Sequence, residues 1–273
     1  MKTNNFNFPD FITNVIDKYQ PDEKKPVEHR YSITELLLPV KEIYLKRKYW
    51  DYIITDYSDC INTLFGSAFH SLFENTEDSY IHELKLEYTF NNVTIVGKID
   101  LLDENNEEII DFKTTSVNKV ITNNFDENIK QCIAYAWLRK KIFNVYTQKI
   151  KLVYFMKDWK KMLVDVKQNY PSSPIYIYEK QLTTDDYINI ESYLLNKIDM
   201  LENNNIPDCS NEEKWKNDKY ALYKNSTDKK ASKVVDNLDD VDKSQYEKIE
   251  FREGESLKCN KYCEVKMYCE QKK

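Results

Sequence analysis

A chain of 273 residues can bury a substantial core, and 41% hydrophobic with 14% aromatic residues marks it as globular despite a mean hydropathy of -0.72. A formal net charge of -6 excludes a global positive field for gathering nucleic acid, so any such contact must come from local patches. No apolar run is long enough for a membrane span and no leader peptide is legible, which points to an intracellular, cytoplasmic protein with reduced cysteines.

The basic patches are Lys46-Arg47-Lys48, Arg139-Lys140-Lys141 and Lys229-Lys230, and such runs are more often plain solvated surface. Residues 8–19 predict a short amphipathic helix, followed by a charged, proline-containing connector over 20–30. Ser32-Ile33-Thr34-Glu35 opens a second helix running to about Trp50, capped by Ser32 or Thr34 and kinked or broken at Pro39. From Cys60 to Phe73 a wide apolar stripe through Ile61, Leu64, Phe65, Ala68, Phe69 and Leu72 predicts another helix, with His70 and Glu74 on one face. A lone histidine there is usually a packed or surface residue.

His82–Phe90 alternates as a strand, with Leu84, Leu86 and Tyr88 on one side and Glu83, Lys85 and Glu87 on the other, where solvent is the simpler destination and a metal-facing Glu83 or Glu87 the alternative. Asn91-Asn92 turns the chain into the strand Val93–Asp103, and Asn105-Asn106 turns it again into Ile109–Thr115. With Asn105 and Asn106 as the loop, Asp100 stands opposite Asp111, and Lys113 projects from the same face. Facing carboxylates destabilise a sheet and call for a divalent cation. Two acids and a lysine around a hard ion suit phosphodiester hydrolysis, in which the lysine orients water or stabilises charge developing on the phosphate. A bare acid-x-base triplet such as Asp111-Phe112-Lys113 is weak evidence by itself, because this composition yields about seven by chance.

Asp126–Phe143 predicts a helix with Gln131 and Tyr135 on one face, and Lys149–Met156 a buried strand, giving an αβββαβ core around a mixed sheet. A short strand at Ile175–Tyr178 and a helix from Thr183 or Thr184 to about Asn203 follow; 204–243 is polar and irregular. Cys259, Cys263 and Cys269 cluster near the end and read as metal ligands, with Cys209 as fourth partner and Cys60 as the alternative. Three segments result: a helical N-terminal extension over 1–59, a core over 60–182, and a C-terminal helix with the cysteine segment over 183–273.

Gly66-Ser67-Ala68-Phe69-His70, Gly97-Lys98-Ile99-Asp100, Asp111-Phe112-Lys113 and Gln131-Cys132-Ile133-Ala134-Tyr135 stand in the order that resembles the PD-(D/E)XK nuclease superfamily, RecB type. The resemblance covers roughly residues 60 to 156 and implies a restriction-endonuclease-like α/β fold. It implies a DNA nuclease, exonuclease-like on single strands or ends, using Mg2+ or Mn2+ held by His70, Asp100, Asp111 and the Phe112 backbone carbonyl. In that group Gln131 and Tyr135 would lie over the active site and contact DNA, in recombination, repair or replication beside a helicase or recombination protein. AddB-like and CRISPR-associated members hold an iron-sulfur cluster with a C-x-x-C-x5-C trio; three residues separate Cys259 from Cys263 here, nearer phage-encoded relatives, which leaves Zn2+ open. The competing expectations are a non-catalytic nucleic-acid- or partner-binding module on the same scaffold, and a structural metal protein organised by its cysteines.

Overall fold

The computed structural model describes residues 2–20, 24–74, 76, 78–239 and 241–272, so Pro21, Asp22 and Glu23 of the expected connector lie outside the described residues. Two units form, Met1–Leu38 with Trp50–Asn205 and Pro39–Tyr49 with Ile206–Lys273. Residues 39–49, expected in the N-terminal extension, thus group with the C-terminal segment, while 183–205 stay with the core.

The first unit begins with β1 (Lys2–Thr3), α1 (Asp10–Tyr19), β2 (Arg30–Ser32) and α2 (Ile33–Leu36). The Ser32 hydroxyl caps α2 by accepting from the Glu35 N–H at 3.1 Å. Pro39 lacks an N–H and disfavours helical backbone at Leu38, so the helix expected over 32–50 stops, and α3 (Val40–Lys48) belongs to the second unit. Next come β3 (Thr55–Asp56), α4 (Tyr57–Glu74), β4 (Ile81–Phe90), β5 (Val93–Asp103), β6 (Glu108–Thr115), α5 (Val117–Ile121), α6 (Asp126–Phe143), β7 (Lys149–Met156), β8 (Ile175–Gln181) and α7 (Thr184–Glu202).

The sheet runs β2-β5-β6-β7-β8, with β4 on the other edge of β5. Neighbours β2/β5 and β6/β7 are parallel and β4/β5, β5/β6 and β7/β8 antiparallel, the mixed sheet the sequence predicts. Asn91 and Asn92 hold φ of 44° and 67°, the paired left-handed residues of a tight hairpin. The second hairpin keeps the expected register, Leu101↔Ile110 and Asp103↔Glu108, by other means. Its left-handed residue is Glu107 (φ 47°), and the Asp103 carboxylate accepts from the N–H groups of Asn105 and Asn106, both at 3.1 Å.

Strict alternation in β7 buries Ile150, Leu152, Tyr154 and Met156. With Ile95, Ile99, Leu102, Ile109, Trp137 and Leu138 they form the core, each large side chain stabilising by about 1.5–3 kcal/mol. The Phe112 ring points away from Asp111 and stacks on Phe73 of α4, centroids 4.3 Å apart. A Thr183–Asp186 capping box starts α7, whose Glu191 accepts from Trp137 Nε1 at 3.0 Å on α6.

The second unit contains α3 and a small antiparallel sheet, β9 (Lys219–Tyr223), β10 (Lys233–Val235) and β11 (Lys248–Arg252), in the order β10-β9-β11. Much of this sheet falls where the sequence predicts irregular chain; five-residue and three-residue strands rich in Lys carry too little alternation to be read alone. Gly254 is required by a close approach, because a Cβ there would collide with the Asn217 backbone. Among the described residues its buried apolar side chains are Val40, Ile43, Leu45, Ala221, Leu222, Tyr223 and Val265.

Candidate active site

Strand β5 changes partner along one edge. Its residues Asp103 to Leu101 pair with β6, whereas Thr94 to Val96 pair with β2. Between them the ladder opens, and the Phe112 N–H is satisfied by Asp100 Oδ2 at 2.9 Å instead of by backbone. Gly97, Lys98 and Asp100 line a cleft of about 670 Å³ at this opening, a partner-switch point of the kind where ligands bind in open α/β sheets. Its walls bring together His70 from α4, Asp111 and Lys113 from β6, and Gln131 and Tyr135 from α6. Gly97 permits that closeness: a Cβ would lie 3.0 Å from Tyr135 Cδ1 and 3.2 Å from Leu138 Cδ2.

Asp100 Oδ1 lies 3.3 Å from His70 Nδ1, and its hydrogen bond raises the imidazole pKa against the effect of burial. Burial pushes the Asp111 carboxyl up; the Lys113 ammonium opposes this and Asp100 reinforces it. Asp111 is 2% exposed, and its Oδ2 meets Lys113 Nζ at 2.7 Å yet accepts no well-aligned hydrogen bond. For Lys113 burial disfavours the charge, but the Asp111 carboxylate outweighs it and the ammonium is held firmly. Gln131 Nε2 donates to Tyr135 Oη at 2.8 Å, and burial keeps that phenol neutral well above the usual range, with its own proton available to a ligand. The Phe112 N–H is committed to Asp100; its carbonyl remains an expected ligand.

Glu83 takes the metal-facing alternative over the solvent that alternation favours. The Asn91-Asn92 turn sets pairs such as Leu84↔Ile99 and His82↔Leu101, so Glu83 falls opposite Asp100, where no ladder pair forms. Counting back from that turn selects Glu83 over Glu87 as the metal-facing alternative; alternation alone favours solvent for both. His70, Glu83 and Asp100 bring ligand atoms within 4.8 Å of one another. Glu74, weighed beside His70, also lines the cleft. Carboxylate oxygens of Glu83, Asp100 and the buried Asp111 beside one imidazole fit a hard divalent ion such as Mg2+ or Mn2+.

The basic runs are largely committed elsewhere. Arg139 is buried and donates to Thr147 Oγ1 at 3.3 Å, Lys141 pairs with Glu191 at 2.7 Å, and Lys46 pairs with Glu264 at 2.8 Å.

In the second unit Cys209, Cys259, Cys263 and Cys269 line one cavity of about 30 Å³ with Lys41, Glu42, Glu213 and Lys258. Cys60 lies on α4 of the first unit. Burial, with Glu213 nearby, pushes the Cys209 thiol up to about 11, and burial with Glu42 does the same for Cys263, also to about 11. Gln271 fixes the Cys209 backbone from both sides, accepting from its N–H at 3.0 Å and donating to its carbonyl at 2.9 Å. Thiols so held must lose protons to take a metal.

A family model described as the PD-(D/E)XK nuclease superfamily matches residues 15–270. No curated protein matches the chain by sequence. Among solved structures it is similar to SSO0001, at 17% identity and TM-score 0.47 over 70% of this chain and 84% of that one. A phage-related exonuclease from Haemophilus somnus 129PT gives 16%, 0.36, 60% and 81%, and the alkaline exonuclease LHK-Exo from Laribacter hongkongensis gives 10%, 0.38, 64% and 89%. At these scores the three likenesses decide nothing further. Among the described residues no helix is long and apolar enough to cross a membrane.

Proposed function

The chain belongs to the PD-(D/E)XK nuclease superfamily, and from that premise we propose that it is a DNA nuclease dependent on Mg2+ or Mn2+, exonuclease-like on single strands or ends. The observation carrying this is that His70, Asp100, Asp111, Lys113, Gln131 and Tyr135, scattered over 66 positions of sequence, line one cleft.

His70, Asp100, Asp111 and the Phe112 carbonyl would hold the ion, which when bound supplies Lewis acidity at the phosphodiester. Lys113 keeps its proton, since Asp111 stabilises the ammonium, so it acts on charge developing at the phosphate rather than as a base. Tyr135, its oxygen already accepting from Gln131, donates its hydroxyl proton to a phosphate oxygen. Asp100 ties the ion site to the β6 backbone through the Phe112 N–H, fixing the distance between strands. The RecB-type resemblance supplies recombination, repair or replication as the setting, beside a helicase or recombination protein.

Cys209, Cys259, Cys263 and Cys269 would hold an iron-sulfur cluster or Zn2+ in a structural role, and the optical spectrum of anaerobically purified protein separates the two. The test of the main reading is degradation of labelled single- and double-stranded DNA with Mg2+ or Mn2+. Cleavage that survives both Asp111→Ala and Lys113→Ala removes these residues from the chemistry; DNA binding without cleavage under either ion would make the chain a binding module.

A further inference from the structure

Glu83 is a cleft carboxylate that the motif-based ligand set does not use. It sits within strand β4, yet its φ is 52°, a left-handed conformation that a glutamate side chain disfavours. Pairing between β4 and β5 runs through His82↔Leu101 and resumes at Leu84↔Ile99, skipping only the Glu83 position opposite Asp100. The distortion turns the Glu83 carboxylate to a place where its oxygen lies within 4.8 Å of ligand atoms of His70 and Asp100. The same carboxylate is ion-paired with Lys98, two residues before Asp100 on β5, and Lys98 is 51% exposed at the cleft wall while Glu83 is 16% exposed. Beside this group the buried Asp111 Oδ2 is ion-paired with Lys113 Nζ at 2.7 Å.

Resting on the reading of this cleft as a divalent-cation site, we propose that Glu83 is a further ion ligand and that Lys98 is its alternative partner. Cation loading exchanges the Glu83–Lys98 ion pair for a Glu83–cation contact. The released Lys98 ammonium then faces the cleft, where the charge it lost from Glu83 is replaced by a phosphate of the substrate strand. Ion and phosphate affinity are therefore linked, each raising the other by the same factor. The physical reason is charge balance: with Glu83, Asp100 and Asp111 side by side across three strands, the site carries more anion than His70 and Lys113 offset. Lys98, with Lys85 beside it on β4, supplies that offset while no cation does.

The experiment is Mn2+ titration of the whole protein without DNA, followed by calorimetry and by the electron spin resonance of free Mn2+. The variants are Glu83→Gln, Lys98→Met, the double substitution and Asp100→Asn. Glu83→Gln is expected to weaken Mn2+ binding by about tenfold or more, and Lys98→Met to tighten it. In the Glu83→Gln background Lys98→Met should have a much smaller effect, since its action passes through Glu83. Glu83→Asn, a residue that accepts left-handed backbone, repeats the test should the glutamine variant fold poorly. Wild-type Mn2+ affinity in the Glu83 variants together with its loss in Asp100→Asn overturns the Glu83 assignment and leaves the nuclease reading standing. Equal tightening by Lys98→Met in both backgrounds overturns the exchange, leaving only a field effect. A wild-type protein that binds no Mn2+, or an Asp100→Asn variant that binds it normally, overturns the cation site itself and this proposal with it.

Discussion

The two units place polar groups on very different supports. In the first, the charged cleft is mounted on a sheet whose far sides are filled by Ile95, Ile99, Leu102, Ile109, Trp137 and Tyr154, so buried carboxylates that repel one another are held in place by apolar packing around them. In the second, Cys259 lies on a single π-helical turn at Lys258–Tyr262 and Cys209, Cys263 and Cys269 on irregular chain, with few buried apolar side chains behind them. On the proposed reading the first unit would tolerate its site and the second would depend on its own. The contrast follows from size, since a small segment with little core needs a cross-link or a metal to stay folded.

The strongest test of that difference removes a charge from the first site. Asp100→Asn is expected to lower nuclease activity by at least about 100-fold while leaving the melting temperature unchanged or slightly raised, because it deletes a carboxylate that repels the buried Asp111, keeps the Asp111–Lys113 ion pair, and leaves an amide oxygen to accept from the Phe112 N–H. A variant that loses activity and stability together would mean the acids are structural. In the second unit the signs reverse. Cys263→Ser, or stripping the metal with a chelator, is expected to abolish one of two calorimetric transitions and leave the other in place. Loss of both transitions at once would erase the distinction between the units.

What could be read from the chain divides along the same line. The first unit announces itself through local arithmetic: a two-residue Asn-Asn turn fixes every β4–β5 pair, and the β5–β6 register follows from the same counting. That register survived an error in the turn, because a four-residue loop from Glu104 to Glu107 closes on the same pairs as a two-residue one. Glu83 was within reach of the arithmetic and was held only as an alternative, beside Glu87, because alternation favoured water for its side chain. Strand β2 was not legible, since three residues become a strand only when the β5 edge vacated by β6 is there to pair with. The association of 39–49 with 206–273 has no local signature at all; it is made by side chains distant in sequence, such as Lys258 with Glu42 at 2.9 Å and Tyr49 stacked on Tyr268 at 4.4 Å.

Within the first unit the packing behind the cleft can be loosened without touching a charge. Gly97→Ala places a methyl against Tyr135 and Leu138 at 3.0 to 3.2 Å, tighter than ordinary contact, so α6 must shift by a few tenths of an ångström. A cost of about 1–3 kcal/mol is expected, with a lower melting temperature and a fall in turnover as Tyr135 leaves its position. Unchanged turnover would separate Tyr135 from the chemistry.

The smallest effect lies at the edge of the first unit, where β1 is held by polar contacts instead of apolar ones. The Asp56 carboxylate accepts from the Asn5 N–H at 2.9 Å, the Ser58 N–H at 3.0 Å and the Thr3 hydroxyl at 3.0 Å, and these bonds, led by the Asn5 and Ser58 backbone groups, hold its pKa down at about 2 from an ordinary 3.8. A carboxyl depressed in the folded state stabilises above its unfolded pKa and loses that contribution as pH falls through the folded one. Docking of β1 on β3 is therefore expected to be full above about pH 4 and to weaken toward pH 2, read as faster amide exchange at Asn5 and Ser58 while amides of β6 and β7 stay protected. Asp56→Asn should show the faster exchange at every pH, because a neutral amide accepts these bonds more weakly and has no proton to gain. Exchange at Asn5 that ignores pH in the wild-type chain would show that β1 is held by something other than this carboxylate.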